Sequence, residues 1–379
     1  MTEVIFWLAV SWGVFSFAGY PLWMWLLARY RPLPTSKGCV RERVALVIVG
    51  YNESTRVAAK LESCLQQAYP KELLRIIFAS DGSQDGTVEI ARGFTDRGVE
   101  VVAFESRRGK AACLNDVVAM CEEPVLVFTD ARQRLHPDAV SMLVANFADP
   151  TVGAVSGEIV FENENSSEFA EGVSFYWRYE RALRDMEAKS GSAVGVSGAL
   201  YAIRRPCFAP IPHGTILDDV MIPMRAVMQG WRVLFDRDAV AYDQPTTEVA
   251  QEKIRKIRTL AGNFQLITLL PDVLSPWANP IFFRFFWHKI ARLFMPVCLF
   301  AALLANAVLA TRSTFYLVVL IFHAGLYLLP LATILWRPLA RLRLVRICVA
   351  MLWLNAFVVL GFRAFLRSRD VDIWGQTNR

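Results

Sequence analysis

The sequence predicts an α/β domain with a mainly parallel sheet, held between membrane-spanning helices, and three observations predict it. Hydrophobic residues make up 54% of the 379-residue chain and charged residues only 20%, too apolar for an ordinary soluble enzyme and far from a disordered chain. The most apolar runs gather at the two ends. Between them, from Val44 to about Gln244, short β-rich runs alternate with longer helix-period stretches, the pattern of βαβ units.

The first run, VIFWLAVSWGVFSFAGYPLWMWLLA over 4–28, holds no charge. At about 1.5 Å per residue it is long enough to cross a hydrocarbon core of roughly 30 Å. Glu3 precedes it, and Arg29, Arg31, Lys37, Arg41 and Arg43 follow, which is the reverse of a cleaved signal peptide. The positive-inside rule then puts the N-terminus outside and the following domain, 44–244, in the cytoplasm of a multi-pass protein of the inner or plasma membrane. Further spans are expected over 293–310 and 315–336, and 347–362 is transmembrane or re-entrant. Arg337, Arg341, Arg343 and Arg346 mark a cytoplasmic connection. Three crossings after the domain would leave the tail outside, whereas Arg363, Arg367 and Arg369 favour the inside, and the sequence leaves both open. Over 245–292 interfacial helices are expected. The stretch NPIFFRFFWHKIARLF mixes aromatics with Arg284, His288, Lys289 and Arg292, and reads equally as an interfacial segment or as the flank of a span.

Seven cysteines form no C-x-x-C pair and four histidines lie far apart, so neither a disulfide framework nor a zinc site is indicated. The net charge of +6 follows the membrane boundaries and forms no basic face, which argues against nucleic acid as a partner.

Within the domain, strands are expected at Val44–Gly50, Arg75–Ser80, Val99–Phe104 and Pro124–Asp130, with helices from Ser54, Thr87 and Lys110. In open α/β sheets ligands bind beyond the carboxyl ends of the strands. Those ends read Tyr51-Asn52-Glu53, then Asp81-Gly82-Ser83-Gln84-Asp85-Gly86-Thr87, then Arg107-Arg108-Gly109-Lys110, then Asp130-Ala131-Arg132. Asp85-Gly86-Thr87 also has the composition of a helix N-cap. Convergence of acids and bases at four successive strand ends is the signal of a site.

At these residues the chain resembles the family 2 glycosyltransferases. VALVIVGYNES, SDGSQDGT and RRGKAACLN match three motifs of the family, and SGALYAIRR and TILDDV look like its acceptor loop and its acidic catalytic pair. The resemblance implies a Rossmann-like GT-A nucleotide-sugar domain and an inverting transfer, in the membrane-embedded branch that makes polysaccharides. It places Tyr51 and Glu53 along the nucleoside, Asp81 on the base, and Lys110 against the diphosphate. Asp219 becomes the general base with Asp218 beside it, two acids whose repulsion raises the proton affinity of one. Ser197, Gly198 and Ala199 fall on the acceptor side.

Two departures from the family pattern matter. Asp130 matches the first acid of the metal-holding Asp-x-Asp, but Arg132 stands in place of the second, so a divalent cation, Mg²⁺ or Mn²⁺, is expected only through Asp130. Where polymerising members carry Gln-x-x-Arg-Trp, this chain has Arg255-Lys256-Ile257-Arg258-Thr259. Arg255 and Arg258 keep cations for the diphosphate, while loss of the tryptophan favours single transfer over a long polymer. Trp177, with Phe175 and Tyr179 on the helix expected from Phe169 to Gly191, reads equally as an acceptor contact or as interfacial packing. The expected partners are a nucleotide-sugar, most simply a UDP-sugar, a lipid-linked or glycan acceptor and membrane lipid, with an oligomer or a separate exporter for any exported product. The runner-up is a processive β-glycan synthase. A more remote alternative is a nucleotide-binding scaffold or transporter.

Overall fold

The computed structural model describes residues 1–162, 168–244 and 249–367, without the side chains of 168–176, 249 and 250. Phe175, Arg369 and residues 245–248 of the expected interfacial region therefore lie outside what is described.

Eight strands form one sheet in the order β3-β2-β1-β4-β7-β6-β8-β5. They are β1 (Val44–Gly50), β2 (Leu74–Ser80), β3 (Val99–Ala103), β4 (Val125–Asp130), β5 (Arg134–Leu135), β6 (Val152–Phe161), β7 (Tyr201–Arg204) and β8 (Arg232–Asp243). The first four pair in parallel, as expected from their βαβ connections. Insertion of β7 turns the second half mixed, because β7 runs antiparallel to both β4 and β6. Both faces of β1 are covered, so alternate residues serve different cores: Val44, Leu46 and Ile48 pack with the helices α2 (Val57–Leu65) and α3 (Thr87–Arg92), while Ala45 and Val47 face α4 (Lys110–Ala119). The helix α5 (Ala139–Ala145) completes the first of these layers.

The N-terminal run is one helix, α1 (Thr2–Tyr30), long and apolar enough to cross a membrane, with a π-turn at Phe15–Gly19. Within the second half of the sheet domain lie α6 (Glu168–Lys189) and α7 (Asp218–Met228); after it come α8 (Val249–Leu269) and then α9 (Phe282–Leu293) and α10 (Met295–Leu309), which meet at a 59° bend. Two further helices, α11 (Thr314–Leu335) and α12 (Arg343–Arg367), each pass the length and hydropathy test for a span. Ala302 and Ala305 of α10 pack beside Phe6 of α1, small residues allowing close helix approach.

The last helix settles its own packing. Gly361 of α12 lies so close to α8 that an added Cβ would stand 2.8 Å from Leu260 Cβ, and Phe264 of α8 meets the Phe362 ring at 5.0 Å. The C-terminal half of α12 thus packs directly on α8.

A buried polar knot fastens that body to α1 and α9. His288 lies between two carboxylates, with Nε2 2.9 Å from Glu180 Oε2 and Nδ1 2.8 Å from Glu187 Oε1. Tyr20 of α1 donates to Glu187, and Arg292 to Glu180. Arg284 donates to the carbonyls of Glu187, Ser190 and Ser192 at 2.6, 2.7 and 2.9 Å, satisfying the end of α6 that no helical partner reaches.

Candidate active site

The strand ends are laced to one another before any ligand arrives. Asn52 takes a positive φ of 54° and accepts from the Gln84 amide at 2.9 Å, while its own amide donates to Ser83 Oγ at 3.1 Å. Asp85 accepts from the amides of Ser54 and Thr87, so its role includes the helix-capping one. Gly82 is needed where it stands: its φ is +66°, and a Cβ there would lie 2.5 Å from the Arg107 nitrogen. Asp81, buried, accepts from the amides of Arg108 at 2.7 Å and Gly109 at 3.0 Å. The Arg107 guanidinium stacks 3.9 Å above the Tyr51 ring.

This bracing aims Lys110, the first residue of α4. Its Nζ lies 2.9 Å from Asp130 Oδ1 and 3.1 Å from Asp218 Oδ2, the second a charge contact without hydrogen-bond alignment. Burial pulls the Lys110 ammonium down, but Asp130 and Asp218 outweigh it and hold it well above the usual lysine range. Asp219 follows Asp218 in the first turn of α7, fixed through its carbonyl, which accepts from the Val196 amide at 3.0 Å. Burial first, and then the neighbouring Asp218, push the Asp219 carboxyl up to about 6 against the pull of Lys110, Lys289 and Arg184. A carboxylate of that affinity can take a proton near neutral pH.

These groups open on a cavity of about 330 Å³, also lined by Ser197, Gly198, Ala199, Arg255, Arg258 and Trp177. Gly198 lies against the Asp219 carboxylate: a Cβ there would stand 3.5 Å from Asp219 Oδ2, an ordinary van der Waals contact. Arg258 lies within electrostatic reach of Asp218, Asp130 and Asp219. The cavity thus joins a cation-lined wall to a poised carboxylate, as displacement of an anionic leaving group by a hydroxyl requires.

Residues 45–209 match the sequence profile of glycosyl transferase family 2. Glycosyltransferase AglE of Haloferax volcanii is 24% identical over 217 residues, 56% of this chain and 71% of that protein. The profile covers β1 to β7 and the strand-end motifs, and ends before Asp218 and Asp219. The sheet domain is a family 2 glycosyltransferase domain. The poly-β-1,6-N-acetyl-D-glucosamine synthase of Staphylococcus aureus is 22% identical over 266 residues, 68% of this chain and 64% of that synthase, so the alignment spans just under two thirds of it. Among solved structures, the mannosyltransferase PcManGT of Pyrobaculum calidifontis, in complex with GDP-Man and Mn²⁺, superposes with a TM-score of 0.73 at 23% identity, over 98% of this chain and all of that one, showing a shared GT-A fold.

Not every residue expected in the site of this glycosyltransferase lines the cavity. Tyr51, Glu53 and Asp81 stand at the neighbouring ends of β1 and β2, outside its lining, with Asp81 tied to the loop that carries Lys110. Glu53 is still close enough to sense Asp130 and Arg132; burial, foremost, raises its carboxyl. Arg132 does not face the cation-lined wall as a free charge: it pairs with the buried Asp243, to which Gln133 also donates at 3.0 Å. Arg255 pairs with Glu252 at 2.7 Å. The aromatic helix divides its labour, because Trp177 lines the cavity while the Tyr179 hydroxyl lies 3.4 Å from the Phe17 carbonyl in α1.

Sequence reasoning assigned no site role to Arg184, Lys289 and Asp243, all in the lining. Lys289 had a signal, a cation among aromatics before a span, that also fits a plain membrane flank. Asp243 had none beyond ending β8.

Proposed function

We propose that this glycosyltransferase moves a sugar from a nucleoside-diphosphate sugar to a hydroxyl of a membrane-associated acceptor, lipid-linked or glycan, with inversion, in the building of a cell-surface glycan. The observation that carries this reading is Lys110 seated between Asp130 and Asp218 with the raised Asp219 carboxyl beside them in one cavity. Asp219 takes the proton of the acceptor hydroxyl as that oxygen bonds to the anomeric carbon. The bond from that carbon to the diphosphate breaks on the opposite face, and Lys110 and Arg258 offset the charge left on the nucleotide. UDP-sugars are the first donors to test, with GDP-mannose beside them because the similar mannosyltransferase was solved with it. Release of UDP or GDP from one donor of such a panel, by the purified full chain in nanodiscs with membrane lipid extract, supports the reading. No release from any donor contradicts it.

A divalent cation belongs to the same reading only in company with the donor. Asp130 is its one expected ligand, already paired with Lys110, and among the described residues no three acidic, histidine or cysteine side chains gather to hold a metal. When bound, such an ion would neutralise diphosphate charge. Equilibrium dialysis should therefore find no saturable Mn²⁺ binding to the donor-free protein and saturable binding once UDP or GDP is added; saturable binding without nucleotide would contradict this.

Processive synthesis is the second reading, favoured by the similarity to the staphylococcal synthase and by Trp177, which brings an aromatic ring into the cavity that Thr259 also lines. A ladder of long products would establish it, and a single added sugar would exclude it. The positive-inside pattern supports a cytoplasmic catalytic domain, and the packing of α12 on α8 supports a last helix that comes back to that side.

A further inference from the structure

The cations of the cavity fall into two sets. Lys110 and Arg258 act with Asp130 and Asp218 on the side assigned to the donor diphosphate. Lys289 of α9 and Arg184 of α6 line the same cavity and act on Asp219. Among the described residues, neither Lys289 nor Arg184 has a hydrogen bond or ion pair of its own. The acid with the strongest influence on Lys289 is Glu180, whose oxygens are already engaged by His288 and Arg292. Two neighbouring cations, partly withdrawn from water and without a bonded acceptor, are stabilised by an anion placed between them.

Their position says where that anion comes from. The backbone carrying Lys289 is packed on the first span: Trp12 Nε1 donates to the Ala291 carbonyl at 2.9 Å, and the Trp287 ring lies 5.1 Å from Trp12 and 4.4 Å from Phe15. Six residues after Lys289 the chain enters α10. Lys289 therefore stands where the apolar helices meet the catalytic body, the level at which lipid headgroups carry phosphate.

We propose that Lys289 and Arg184 form an acceptor subsite for the phosphate of a lipid carrier, beside the hydroxyl that Asp219 deprotonates. This rests on the transfer reading above and names its acceptor class. The lipid phosphate itself is unchanged in the reaction: one carbon–oxygen bond forms at the acceptor hydroxyl, one breaks at the nucleotide, and the proton goes to Asp219. Trp177, in the same cavity, offers a face to the sugar ring between them.

The test is binding, so that it reads separately from turnover. The full chain in phosphatidylcholine nanodiscs is titrated with farnesyl phosphate, farnesol and inorganic phosphate, using the parent, Lys289→Gln, Lys289→Arg and Arg184→Gln. The expected result is saturable binding of farnesyl phosphate, weakened about tenfold or more by Lys289→Gln and by Arg184→Gln and largely restored in Lys289→Arg, with farnesol and inorganic phosphate far weaker. Equal binding of farnesol would overturn the anion subsite, and equal binding of inorganic phosphate would overturn a lipid source. Farnesyl phosphate affinity unchanged in both charge-removing variants would overturn the assignment. If Lys289→Gln does not yield folded protein, Arg184→Gln on the partly exposed helix face decides. Failure of every donor in the nucleotide-release assay would instead strike the transfer reading, whatever the binding result.

Discussion

Asp219→Asn is expected to lower turnover by about 100- to 10,000-fold, with little change in donor affinity, because the amide keeps the shape of the carboxylate but cannot take the acceptor's proton. The placement supports a loss confined to the chemical step. Asp219 is held by its own backbone carbonyl through the Val196 amide, a bond the substitution leaves intact. Its side chain lies beside Gly198, and asparagine fills nearly the same space there. The pH dependence gives an independent reading. Burial and Asp218 raise the Asp219 carboxyl to about 6, and the base works only when deprotonated. Turnover in the parent should therefore fall as pH drops through about 6, approaching tenfold per pH unit below it, and the residual activity of Asp219→Asn should lack that limb. A parent profile flat from pH 5 to 7 would remove Asp219 from the role.

Lys110→Met is expected to reduce kcat/KM for the donor by about 100- to 1,000-fold, the scale seen when one fixed electrostatic contact to a developing anion is lost. Two effects act in the same direction. The proposed diphosphate wall loses a cation, and Asp130 and Asp218, whose charges Lys110 offsets at 2.9 and 3.1 Å, are left to repel both each other and an incoming nucleotide. Lys110→Arg should recover part of the loss, since Arg keeps the charge while its planar head fits the space between two carboxylates differently. Steady-state kinetics at fixed acceptor would check this. A loss in acceptor KM alone would place Lys110 on the wrong side of the site.

Much of this was legible in the sequence because the informative residues are local. The four strand ends after β1 to β4 come from runs whose alternate residues must fill cores on both faces of the sheet, so their period and composition mark them directly. The acidic pair at Asp218 and Asp219 reads from adjacency. What stayed hidden depends on distant chain segments meeting. The pairing of Arg132 with Asp243 joins residues 111 positions apart, and nothing local announces it. The insertion of β7 between β4 and β6 reverses strand direction in a sheet that its first half predicts as parallel. Lys289 reads in sequence as an ordinary membrane flank, and only the meeting of α9 with α6 brings it into the cavity lining. Likewise the packing of the last apolar run on α8 is not a matter of hydropathy: it rests on Gly361, where the lack of a side chain lets α12 approach α8 closely.

On the proposed mechanism one cavity receives both a leaving nucleotide and the acceptor hydroxyl that Asp219 deprotonates, at the membrane boundary. The most direct measurement follows radiolabel from the sugar of the active donor into the lipid-extractable fraction, in nanodiscs, with the parent and Asp219→Asn side by side. Labelled lipid product is expected in step with nucleotide release from the parent, and both at least about 100-fold slower from the variant. Nucleotide release with the label left entirely in water-soluble free sugar, or equal labelling by the variant, would contradict the mechanism.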